Sequence, residues 1–138
     1  MHRRLERRRD GGPQPGVVVA VAAGGAAGAL SRYLLSVWGG WPLTTLAINA
    51  VGCAAIGVLA VLVTHRWPHH WWVRPLLGPG FLGGFTTFSA YAVDVGRLGR
   101  DGRWLAALSY LVATPVIAVL AVWAGTVVAR RALGVTRG

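Results

Sequence analysis

Apolar residues run along this chain in four long stretches, at 17–37, 43–63, 75–95 and 104–128, parted by short polar or glycine-bearing connections. A hydrocarbon core about 30 Å thick needs roughly 20 such residues per helix. The pattern therefore predicts an all-α membrane protein with four transmembrane helices. One span is interrupted. Gly83-Gly84-Phe85-Thr86-Thr87-Phe88-Ser89-Ala90-Tyr91 lies inside the third stretch, and paired glycines and paired threonines are poor helix material. A break there frees backbone carbonyls at membrane depth, where irregular backbone survives only if it binds an ion or lines a pathway. The third helix is thus expected to be broken mid-span.

Composition agrees. Of 138 residues, 54% are hydrophobic and 13% charged, and the mean hydropathy is +0.53. The four stretches leave no room for a soluble domain. Residues 1–16 read as a flexible basic tail, 17–128 as one membrane domain, and 129–138 as a second basic tail. The tail at 1–16 followed by an apolar run imitates a secretory signal. The run is long enough to span and continues through Arg32 and Tyr33, so a retained first helix is expected. The connection at 38–42 is short, which predicts that spans one and two are antiparallel neighbours.

The net charge is +10, carried by arginine. A basic balance can mean nucleic acid. Here the arginines flank the spans, which is a topology signal, and no nucleic-acid partner is expected. Ten arginines (3, 4, 7, 8, 9, 66, 74, 130, 131, 137) fall on the side holding both termini, and four (32, 97, 100, 103) on the other. The excess predicts cytoplasmic termini in the cell membrane. Trp38, Trp41, Trp67, Trp71, Trp72 and Trp104 fit an interfacial belt. His65, His69 and His70 fit a wet loop better than a metal site, because no carboxylate or second ligand type accompanies them. Cys53 is the only cysteine and reads as a small core residue.

Candidate chemistry lies in small groups. Ala20, Gly24 and Gly28 recur every four residues on one face of span one, and suit close packing within or between subunits. Arg32 extends that face; it could draw an anion to a pore mouth or snorkel to headgroups. Asn49 offers amide donors or a helix–helix hydrogen bond. Phe88 and Tyr91 share a helical face beside the break, and their partly positive ring edges could touch an anion or simply pack. Tyr110 and Thr114 stand one turn apart as hydroxyl donors. The first, second and fourth spans contain no Asp or Glu, and Asp94 ends the third. That excludes a proton-coupled transporter, including a small dual-topology drug transporter, which needs an embedded glutamate. No nucleophile–base pair appears, so an enzyme is not expected. Donors, ring edges and freed carbonyls suit passive conduction of a small anion.

Four motifs carry a family resemblance: Gly24-Gly25-Ala26-Ala27-Gly28-Ala29-Leu30-Ser31-Arg32-Tyr33, then Thr45-Leu46-Ala47-Ile48-Asn49-Ala50-Val51-Gly52, then the Gly83–Tyr91 segment, then Tyr110 and Thr114. In that order the chain resembles the CrcB family of fluoride channels, also called Fluc. The resemblance implies a fluoride-specific channel built as an antiparallel dimer in the lipid bilayer. It implies a structural sodium ion held by the Gly83 and Thr86 carbonyls. It assigns Phe88 and Tyr91 to the pore aromatics, Asn49, Ser89, Tyr110 and Thr114 to pore-lining donors, and Arg32 to the anion vestibule. Three positions depart from the family pattern: Ala90-Tyr91 stands for Thr-Phe, and Thr44 for a glycine. The ten-to-four arginine bias opposes insertion of one chain both ways. A differently charged homologue is therefore the expected partner.

Overall fold

The computed structural model of the protein describes residues 14–135. Among these, all regular structure is helical: α1 (Pro15–Trp38), α2 (Leu43–His65), α3 (Val73–Pro75), a π-helical segment (Leu76–Leu82), α4 (Gly83–Phe85), α5 (Phe88–Arg100) and α6 (Trp104–Ala132). Three of them, α1, α2 and α6, are long and apolar enough to cross a membrane. The stretch from α3 to α4 and the helix α5 each rise only about 20 Å at 1.5 Å per residue, so neither half crosses alone. The third apolar stretch is therefore two half-helices. Large apolar side chains such as Leu30, Leu34, Val51, Val112 and Val119 point outward, as a lipid solvent allows.

Helix limits differ from the hydropathy reading at several places. α1 starts at Pro15, in the 1–16 stretch expected to be flexible, because proline is preset for a first helical position. The rest of that tail, residues 1–13, lies outside the described residues. α6 runs to Ala132, taking in Arg130 and Arg131, whose charge suits a helix C-terminus. α5 continues past 95 to Arg100 because Leu98, 2% exposed, docks on a cluster with Tyr91, Ala107 and Tyr110. The π-helical segment was not foreseen. Pro79 has no N–H for the carbonyl four residues earlier. The helix widens there, and the Gly83 N–H bonds Gly78 O at five-residue spacing.

Packing corrects one expectation outright. α1 and α2 scarcely touch despite their short connection; α1 lies on the segment from Leu76 to Phe85, and α2 lies on α6. Glycines decide the pairing. A Cβ on Gly24 would overlap the Leu76 carbonyl, one on Gly28 the Phe81 carbonyl, and one on Gly84 the Gly25 carbonyl. A Cβ on Gly57 would overlap the Val122 carbonyl and one on Gly125 the Ala54 carbonyl. The small stripe on span one thus serves packing within the subunit, backbone against backbone.

Candidate functional site

The site is built around the break. Helix α4 ends at Phe85; Thr86 (φ −78°, ψ 156°) and Thr87 (φ −148°, ψ 124°) are extended. Thr86 turns inward: its N–H and its hydroxyl both bond Leu82 O at 2.9 Å. Thr87 caps α5, its Oγ1 accepting the Ala90 N–H at 3.1 Å. That satisfies one of the orphan donors of a helix start.

Two neighbouring helices hold the break from either side. Asn49 on α2 reads the Thr87 backbone in both directions: its Nδ2 donates to Thr87 O at 2.9 Å and its Oδ1 accepts the Thr87 N–H at 2.8 Å. One amide thereby fixes an extended residue as a strand neighbour would, and leaves a second N–H to donate. Arg32 on α1 donates from Nε to Gly84 O at 3.2 Å. Neither reading of Arg32 from the sequence included this bond. The hydrogen bonds of the described residues do not reach the carbonyls of Gly83, Phe85 or Thr86.

Beside the break lies a cleft of about 280 Å³ between α2, α5 and α6. Asn49, Phe88, Tyr91 and Thr114 line it, with Cys53 and Pro115. With Thr86, which also lines it, five sequence-predicted site residues are thus brought together. The Phe88 and Tyr91 rings lie 5.5 Å apart at 57°, and Tyr110 follows 5.6 Å from Tyr91. Phe88 is 79% exposed on this chain, while Tyr91 is buried. Thr114 is buried, and its Oγ1 has no hydrogen-bond partner among the described residues. A mid-helix threonine ordinarily bonds its own helix backbone. Here the hydroxyl makes no such bond and stands in the cleft with aromatic rings and an amide.

The other expected residues stand apart. Ser89 is exposed, with its hydroxyl 3.2 Å from that of Thr87. Tyr110 does not line the cleft; its hydroxyl makes long contacts to Pro42 O (3.4 Å) and Asp94 Oδ2 (3.5 Å).

Sequence reasoning passed over Asp94 and Trp41. Asp94 is 4% exposed and its Oδ1 accepts a short hydrogen bond from the Trp41 indole N–H. Trp41, expected in the interfacial belt, thus clamps the α1–α2 connection to α5. The signal was available: Asp94 falls three residues after Tyr91 and four before Leu98, on the buried face of α5. Asp94 is level with the connection at Trp41 and Pro42, away from the break. No group of three or more metal-ligating His, Cys, Asp or Glu side chains exists among the described residues.

Comparison with known proteins shows the family. A family profile described as "CrcB-like protein, Camphor Resistance (CrcB)" matches residues 19–126. "Fluoride-specific ion channel FluC 1" of Streptomyces coelicolor is 53% identical over 125 residues, covering 87% of this chain and 81% of that protein. "Fluoride-specific ion channel FluC 2" of Nocardia farcinica is 46% identical over 128 residues, 89% of this chain and 91% of the relative. "Fluoride-specific ion channel FluC" of Paracoccus denitrificans is 44% identical over 115 residues, 80% and 91% respectively.

Proposed function

Since this chain belongs to the CrcB family, whose members are ion channels and not enzymes, we propose that it conducts fluoride passively out of the cytoplasm and so limits fluoride toxicity. One observation carries the reading furthest. The cleft at the helix break sets an unpartnered Thr114 hydroxyl, the Asn49 amide and the Phe88 and Tyr91 rings around one space. No side chain with a full positive charge lines that space. A small, strongly hydrated anion needs donors to replace its water. It also needs them weak, so that it can leave. Hydroxyl, amide and ring edges meet both demands, and a fixed guanidinium in the same place would hold the ion too long. Arg32 serves at a distance, raising anion concentration at the mouth.

The working unit is a pair of oppositely oriented subunits, each crossing the cell membrane four times with the two half-helices forming the third crossing. Phe88 supports this, because an aromatic exposed at a helix break needs a neighbour to complete the wall. The Gly83 and Thr86 carbonyls suit a structural sodium ion. They lie at the C-terminal, negative end of a half-helix and accept no hydrogen bond within the described residues. Bound there, sodium would supply positive charge that neutralises carbonyls from two subunits and ties them together. Flux decides the central claim. In liposomes holding the assembly purified through a tag on this chain, fluoride efflux is expected to stand far above the protein-free leak, with chloride at the leak. Equal rates for the two anions would end the reading.

The arginine bias makes the partner a homologue of different charge, inserted with its termini outside. Tags at both ends of this chain, probed with an impermeant reagent from each side of the cell, are expected to report cytoplasmic termini only. If the chain expressed alone shows an even mixture of orientations and conducts fluoride, the paired-homologue reading is wrong and a homodimer stands.

A further inference from the structure

Helix α6 carries a proline within it, Pro115. Proline has no N–H, so the Leu111 carbonyl one turn earlier loses its helical donor. At membrane depth no water replaces it, and prolines are tolerated in such helices where a neighbour satisfies the freed group. The neighbour here is Tyr91 on α5: its hydroxyl donates to Leu111 O at 2.7 Å. Tyr91 stands where the family resemblance sets phenylalanine. Its ring keeps the aromatic role, lying between Phe88 and Tyr110 and lining the cleft. Its hydroxyl is committed to the α6 backbone and is not a donor to the cleft.

We infer that Tyr91 is a positioning residue, whose hydroxyl pins the aromatic wall on α5 to the hydroxyl strip on α6 through the Leu111 carbonyl that Pro115 frees. The inference rests on the channel reading and extends it. α5 begins only three residues before Tyr91, just past two extended threonines, so its first turn has no helix behind it to fix its height. α6 contacts it through the Tyr91–Leu98–Ala107–Tyr110 cluster, which is apolar and sets distance more than register. Two directional contacts join the helices, and the bond at Tyr91, 2.7 Å against 3.5 Å for Tyr110 to Asp94, is the tighter and the one beside the break, so it sets the register there. It fixes where the Phe88 and Tyr91 edges stand relative to the Thr114 hydroxyl, three residues along from Leu111. Phenylalanine at 91 would fill the same space and leave the carbonyl orphaned. The need for a tyrosine is therefore created by Pro115 and should vanish with it.

A four-member cycle tests this: the unaltered chain, Tyr91→Phe, Pro115→Ala, and both together. Each is purified as the tagged assembly, melted in detergent, and reconstituted for fluoride efflux. The Pro115→Ala change restores an N–H to Leu111 O without adding bulk. Tyr91→Phe alone is expected to slow efflux by about fivefold or more and to lower the melting temperature, the scale of one orphaned buried acceptor. Pro115 lines the cleft, so its replacement can change flux by itself, and the pair is read by ratio. The fold-loss of flux and the drop in melting temperature caused by Tyr91→Phe are expected to be far smaller in the Pro115→Ala background than in the unaltered one. That non-additivity is the signature of a coupled pair. If Tyr91→Phe costs the same flux whether Pro115 is kept or replaced, the hydroxyl acts on the ion directly and the inference falls. It falls equally if Tyr91→Phe changes neither readout. Should the unaltered assembly pass no fluoride, the channel reading fails, and the melting temperatures alone still decide whether Tyr91 and Pro115 are coupled.

Discussion

Phe88→Ile is expected to bring fluoride efflux down to the leak of protein-free liposomes while the assembly still purifies intact. A fall of at least about a hundredfold corresponds to about 2.7 kcal/mol on the transit barrier, at about 1.36 kcal/mol per factor of ten. Isoleucine keeps the apolar character and removes the ring edge, the only part of the side chain that can face an anion favourably. Phe88 is 79% exposed on its own chain, so little packing within the subunit is lost. Melting temperature and elution volume separate a blocked pathway from a broken protein. Flux equal to that of the unaltered channel in a correctly assembled variant would take Phe88 out of the pathway.

Exchanging sodium for a large organic cation is expected to abolish flux and loosen the subunit pair. In the proposed site the Gly83 and Thr86 carbonyls of one subunit would supply two oxygens, and a partner across a two-fold axis would double the set. Without a cation, like dipole ends would face one another at the centre of the assembly. Exchange of the cation is the direct test, because the proposed ligands are backbone atoms that no side-chain substitution removes. Flux and subunit association measured in sodium and in the organic cation decide it. Identical values in the two would mean that these carbonyls hold no ion.

The break shows how far local rules reach. Gly83-Gly84 and Thr86-Thr87 announce an interruption, and the chain does leave the helix there, at Thr86 and Thr87. The same rules do not show what the threonines do. Thr86 folds back on Leu82, and Thr87 opens the next helix as its cap. Composition alone makes Asn49 a donor in search of a partner. That its partner is the extended Thr87 backbone, engaged from both sides, depends on α2 and the break meeting in space.

Helix pairing departs furthest from the sequence reading. A short connection argues for α1 beside α2, yet connection length limits only how far apart two helix ends can be. Close approach is set by where side chains are missing. The glycines of α1 match the Leu76–Phe85 backbone, and Gly57 and Gly125 let α2 and α6 approach. The sequence by itself determined the solvent of this protein, the number and length of its apolar stretches and the site of the break, because these follow from composition and short-range periodicity, and its four motifs carried the family resemblance. Only the tertiary structure decided the rest: that the small stripe on α1 is internal, that Asp94 is held by Trp41, that Thr114 keeps a free hydroxyl among the described residues, and that Tyr91 serves Pro115. The Trp41–Asp94 and Tyr91–Leu111 contacts join residues remote in sequence, and the energy that selects them comes from a carboxylate or a backbone carbonyl finding its donor where no water can reach.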